Sequence, residues 1–161
     1  MLALAFHVGK DRFALRCADV VEVVPRVDLR DIPHAPAWIP GMFTYRGAVV
    51  PVVDLCRLMW GTPCAPKMSS RIILVRHATP PGRARLIGLL AERVTEAVTL
   101  DPTRAAPPGI SVPDAPYLGD VYFMPAVEGA ATADDQAMIQ LVRLDQLFQG
   151  ASRAMLLGDA P

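Results

Sequence analysis

One ordered set of short apolar segments occurs twice in this chain. Leu2-Ala-Leu-Ala-Phe-His-Val resembles Arg71-Ile-Ile-Leu-Val-Arg-His, and Phe13-Ala-Leu-Arg-Cys-Ala-Asp-Val-Val-Glu-Val-Val resembles Ile87-Gly-Leu-Leu-Ala-Glu-Arg-Val-Thr-Glu-Ala-Val. Pro33-His-Ala-Pro matches Pro113-Asp-Ala-Pro, with Gly41 and Gly119 soon after. Val49-Val-Pro-Val-Val-Asp-Leu then matches Met138-Ile-Gln-Leu-Val-Arg-Leu. Chance readily gives one such match, but not a whole series in the same order. Self-similarity of this kind signals two copies of one structural unit. The first copy lies near residues 1–68 and the second near 69–148, with stretches such as Ala126 to Gln136 absorbing the drift in spacing. A unit this small buries too little surface to stand alone. It has to close on itself to remove its sheet edges, and two such barrels have to pack together. A groove between packed barrels is a natural binding surface.

The repeated segments read as strands. They are short, rich in Val, Ile and Leu, and bounded by Gly, Pro and Asp. Leu2 to Val8, Phe13 to Cys17, Val20 to Val24, Ala48 to Leu55, Arg71 to Arg76, Leu86 to Ala91, Val94 to Leu100 and Met138 to Leu144 fit this reading. Gly9-Lys10-Asp11 predicts one hairpin and Thr79-Pro80-Pro81-Gly82 a second, longer one. Sixteen prolines in 161 residues disfavour long helices. Helical spacing remains in a short stretch from Asp54 to Trp60, and again from Leu144 to Leu157. Trp38 and Trp60 read as core anchors, and Cys17 as a small core residue on its strand.

Several function classes find no support in the residues. Formal net charge is zero, with 16 basic and 16 acidic side chains, where a nucleic-acid binder usually carries a basic excess. A small-barrel nucleic-acid module would want aromatics interleaved with a basic groove, and none is seen. No GxSxG, GxxxxGK[ST] or GxGxxG occurs. His7, His34 and His77 are not paired at ligand spacing, and Cys17, Cys56 and Cys64 form no CxxC. Local sequence therefore gives no reason to expect a metal, a cofactor or a catalytic nucleophile. An enzyme of unrecognised type stays open, because triads assemble from distant residues. Three cysteines without a framework suit a reducing compartment. The apolar N-terminus lacks a basic n-region and no run approaches membrane-spanning length, so a cytoplasmic location is expected.

Residues 33–55 carry the most specific pattern: a proline-framed turn, Gly41, a short strand, the corner Arg46-Gly47, and an apolar strand closing on Asp54-Leu55. Gly47 permits a positive φ and leaves Arg46 displayed at the corner. Pro51 should mark a strand edge or bulge. This stretch resembles the CheW family, whose pattern runs P-x-x-P, G, N-L-R-G and P-V-x-D-L. The matching residues are Pro33, Pro36, Gly41, Arg46, Gly47, Pro51, Val52, Asp54 and Leu55. Val20, Glu22 and Val23 match an earlier V-x-E-[IV] element, Ile87 to Ala91 a later strand, and Leu144, Leu147 and Phe148 a terminal element. The resemblance covers about residues 2–150. Departures are Thr44-Tyr45 in place of Asn-Leu, Glu92 in place of Asp, and Ala97 in place of a branched residue. The compact N-terminus and the Pro113-Asp-Ala-Pro-Tyr-Leu-Gly run resemble the short adaptor of Wsp-type surface-sensing systems.

The resemblance implies a mainly β fold: a single CheW-like domain over residues 1–150 made of two five-stranded SH3-like barrels. The first strand and the C-terminal helix are the elements able to cross between them, and residues 151–161 form the end of that helix and a tail. It implies a non-catalytic adaptor without cofactor. The partners would be the regulatory domain of a CheA-type histidine kinase and the cytoplasmic tip of a methyl-accepting receptor. There would be no nucleic acid and no membrane insertion, only recruitment to receptor arrays. Val20, Glu22, Val24, Gly41, Met42, Arg46 and Gly47 become the interaction residues. For Arg46 the plain alternative is an exposed turn arginine. For Glu22, expected on the face opposite Val21 and Val23, it is a solvated strand face. For Val20, Val24, Gly41 and Met42 it is core or turn.

Overall fold

The computed structural model describes residues 1–78, 84–124 and 138–147. The elements run β1 (Leu2–Val8), β2 (Asp11–Arg16), β3 (Val20–Pro25), β4 (Gly41–Tyr45), β5 (Ala48–Asp54), α1 (Leu55–Trp60), β6 (Arg71–Ala78), β7 (Ala84–Thr99), β8 (Ala105–Ala106), β9 (Leu118–Phe123), β10 (Met138–Val142) and α2 (Leu144–Leu147). Strands dominate because the apolar runs are too short and too β-branched for helices. Leu86 to Ala91 and Val94 to Leu100, expected as separate strands, fuse into the single long β7. The expected turn at Thr79 to Gly82 lies outside the described residues, although its flanks pair as Ala78↔Ala84. Phe148 and the remainder of the expected terminal helix also lie outside them.

The strands form two curled sheets that share β7. In one, β7 from Ala84 to Ala91 pairs with β6, β6 pairs with β3, and β5 joins β7 in parallel while pairing with β4. In the other, β7 from Glu92 onward pairs with β1, which leads through β2, β10 and β9 to β8. The crossing point is marked by Arg93 at φ 47° and by a register shift in β1 between Ala5 and His7. Such bulges bend a strand and increase its twist.

The internal repeat is visible in the register. Ala3↔Arg16 in the β1–β2 hairpin corresponds to Ile72↔Leu90 in β6–β7. Leu2↔Thr99 between β1 and β7 corresponds to Arg71↔Pro25 between β6 and β3. The parallel pair Ala14↔Leu141 corresponds to Gly88↔Val52. Even loop bonds recur: Asp54 N–H donates to the Trp38 carbonyl (2.9 Å), and Arg143 N–H to that of Tyr117 (2.7 Å). Yet each sheet draws strands from both halves. β1 and β2 sit with the second-half strands β9 and β10, whereas β6 and the start of β7 sit with β3, β4 and β5. The sheets therefore do not coincide with the stretches 1–68 and 69–148. The first strand pairs both within its own half and across to the other.

Phe6, Leu15, Val52, Leu55, Ile72 to Val75, Ile87 and Leu89 form the main core, fully buried. A smaller cluster of Ala3, Ala14, Leu100, Tyr122 and Ile139 fills the sheet that contains β10. Trp38 packs against the main core as expected. Trp60 does not: it ends α1 with 62% of its surface exposed. Cys17 is only half-buried, because a 3-10 turn over Cys17–Asp19 interrupts the chain between β2 and β3.

Candidate partner-binding site

β4 and β5 form a two-residue hairpin, closed by the pair Tyr45↔Ala48. Its corner residues Arg46 (φ 48°) and Gly47 (φ 80°) both lie in the left-handed region. That is the turn whose twist matches the flanking strands. Gly47 meets this demand freely, and Arg46 adopts it despite its side chain. A Cβ at Gly47 would meet nothing within 4 Å, so Gly47 serves through its backbone alone.

Arg46 stands outward with its side chain 78% exposed. Its guanidinium lies over the Tyr45 ring, 5.2 Å from the centroid. One nitrogen is 3.8 Å from Glu22 Oε2 on β3, and the Tyr45 hydroxyl donates to the same oxygen. Two of the candidates read from sequence, Glu22 and Arg46, are thus brought together, across the gap between β3 and β4 at the two margins of their sheet. An exposed ion pair contributes only about 0–1 kcal/mol, and an exposed cation–π contact about 0.5–1 kcal/mol. These contacts orient the guanidinium without committing it to the scaffold. Tyr45 is the member missed in the sequence, where it stood out only as a departure from the family pattern.

The other candidates divide differently. β3 does not alternate strictly: its register with β6 shifts between Val20 and Glu22. Val21 is exposed as well as Glu22, and Val23 and Val24 are both half-buried. Val20 and Val24 pack against the core. Gly41 is buried, and a Cβ there would come within 2.5 Å of the Arg30 carbonyl oxygen. Met42 holds that crossing segment through two backbone bonds to Arg30, of 2.8 and 2.9 Å. Gly41 and Met42 thus fasten the 26–40 connection to β4. Because Met42 bonds Arg30 with both its backbone groups, it needs no donor from its opposite neighbour Pro51, which has none.

Asp54 also proves structural. It is buried, caps α1 by accepting Arg57 N–H (3.1 Å), and accepts Cys64 N–H (3.1 Å) with its other oxygen. A concave site of about 390 Å³ lies beside it, where the β1–β2 turn, α1 and the crossing point of β7 meet. Trp60 and Glu92 line it. Glu92 Oε1 accepts from Gly9 N–H (3.4 Å) and from Cys56 Sγ (3.1 Å). This cavity lies where the two sheets adjoin, the kind of position expected for the groove.

The chain matches the model of the CheW-like domain over residues 2–152. It is 28% identical over 150 residues to the chemotaxis protein CheW of Rhizobium meliloti, covering 93% of this chain and 88% of that one. A probable chemotaxis protein CheW of Rhizobium etli is 27% identical over 145 residues, covering 90% and 85%. The crystal structure of the scaffolding protein TtCheW from Thermoanaerobacter tengcongensis superposes with a TM-score of 0.75 at 25% identity, covering 94% of this chain and 89% of that one. The two curled sheets correspond to the paired SH3-like barrels of that fold. The chain belongs to the CheW-like domain family.

Proposed function

We propose that this protein is a non-catalytic adaptor that couples a methyl-accepting receptor to a CheA-type histidine kinase in a chemosensory complex. The observation that carries the reading is the family match along almost the whole chain, joined to a fold that displays Arg46 instead of burying it. Val21, next to Glu22 in sequence, and Val49, on the strand that follows the Arg46 corner, are 41% and 65% exposed. Arginine beside apolar surface is a favoured composition for a contact centre. In this assignment Glu22, Arg46 and the Gly47 corner face a partner, while Val20, Val24, Gly41 and Met42 shape the strands behind them. The kinase contributes its regulatory domain and the receptor its cytoplasmic tip, which fits a chain whose described residues include no helix long and apolar enough to cross a membrane. The protein works on the cytoplasmic side, recruited to receptor arrays, and its subtype is the short Wsp-type adaptor.

Reconstitution with the cognate kinase and receptor tests this reading. The full chain should co-elute with the kinase regulatory domain and raise receptor-dependent kinase activity. Absence of binding heat and of co-elution at tens of micromolar would remove its main support.

A further inference from the structure

Local sequence gave no reason to expect a metal, but the fold brings three ligand-type side chains together. Asp54 ends β5, Cys56 sits in the first turn of α1, and Cys64 returns to the same place after the helix. One ligand atom from each, the two Sγ atoms and a carboxylate oxygen, all lie within 4.8 Å of one another, and all three residues are buried. Two ligand atoms on one tetrahedral zinc ion, with metal–sulfur bonds of about 2.3 Å, stand roughly 3.5–3.8 Å apart. Side-chain adjustments of up to about 1 Å would bring the three atoms to that spacing. The return of Cys64 is fixed by its own N–H, which donates to Asp54 Oδ2 at 3.1 Å. Asp54 keeps lone pairs beyond the two backbone bonds it accepts. Cys56 Sγ donates to Glu92 Oε1 at 3.1 Å and Cys64 Sγ to the Leu90 carbonyl at 3.5 Å. The bond with Cys56, burial and the Asp54 carboxylate hold the Cys64 thiol protonated in the metal-free chain, so an ion has to displace that proton. Of the three, Cys56 borders the 390 Å³ cavity, with Glu92 beside it.

We infer that Asp54, Cys56 and Cys64 form a binding site for a thiophilic divalent ion, zinc by preference. Two thiolates select zinc over magnesium or calcium, which take oxygen ligands. Binding exchanges the two thiol protons for the metal and ties the connection after α1 to the end of β5.

Cobalt(II) titration of the reduced full-length chain reads the site directly. The expected result is one equivalent bound, with the intense thiolate-to-cobalt charge-transfer band and tetrahedral visible bands, all displaced by added zinc. Cys56→Ser and Cys64→Ser should each remove the charge-transfer signature or weaken binding by 100-fold or more, whereas Cys17→Ser should keep it. Zinc should also raise the melting temperature of the wild-type chain, reversibly on chelation, a readout that does not depend on the serine variants folding. A wild-type chain with no charge-transfer band and no zinc-dependent shift in melting overturns the assignment. So does a band that survives both serine substitutions in folded protein.

Discussion

Arg46 and Gly41 stand a few residues apart and do opposite work. Arg46→Ala removes an exposed side chain whose internal contacts are one long ion pair and a ring contact. Its stability should change by no more than about 0.5 kcal/mol, which thermal denaturation checks, while receptor-dependent kinase activity falls. Tyr45→Phe deletes the hydroxyl that holds Glu22. It should leave stability within about 1 kcal/mol and impair signalling less than Arg46→Ala does, because the guanidinium remains. Gly41→Ala should instead destabilise by about 1–3 kcal/mol in urea unfolding, since the new methyl strikes the Arg30 backbone at a φ of 154°. Wild-type stability for that variant would show that the 26–40 connection yields easily. In the sequence, Arg46 stood out at its corner, whereas Gly41 read as core or turn and joined the interaction residues only through the family pattern. Its particular task was not legible, because nothing local in the chain tells that residue 30 returns to lie on residue 41.

At the scale of elements, the end of β5 and the crossing point of β7 carry the structural tension. Asp54→Ala uncaps α1, worth about 1 kcal/mol, and strands the buried Cys64 N–H, worth a further 1–3 kcal/mol. A loss of about 2–4 kcal/mol is expected in chemical denaturation. His7 lies on β1 opposite Glu92, with Nδ1 buried and without a hydrogen-bond partner. Burial lowers its pKa, and Arg93 and Arg12 lower it further against the opposing pull of Glu92. The unfolded chain takes up this proton near 6.5, and the folded chain only at lower pH. Stability should thus decline as pH falls below about 6.5 and level off beneath the folded pKa. In His7→Gln that component of the pH profile should be missing. The strand runs and the Asp54 to Trp60 helix were legible because their periodicity and caps are local. The fusion of β7 was not, since Glu92-Arg93 breaks the apolar run in the way a turn would, and the positive φ at Arg93 leaves no mark in composition. The shift in β3 was hidden for the same reason: a run of valines looks alike in either register.

For the whole molecule, the recurrence of apolar segments does correspond to structure, since equivalent residues make equivalent pairings in both sheets. The sequence order could not show that each sheet takes its first hairpin from one copy and its remaining strands from the other. Pairing partners are chosen by long-range packing, and a repeat read along the chain suggests contiguous barrels. The intertwining means that neither half holds a complete sheet, so cutting the chain between β5 and β6 should yield fragments that fold only when mixed. Circular dichroism of the separate and combined halves checks this. The folded whole presents the Arg46 corner on one sheet and the Trp60–Glu92 cavity where the sheets adjoin. The most direct measurement is receptor-dependent phosphorylation of the cognate kinase, reconstituted with wild-type or Arg46→Ala protein of equal melting temperature. The adaptor account predicts strong stimulation by wild type and a marked loss with the variant. Equal kinase activity with and without the wild-type protein would contradict it.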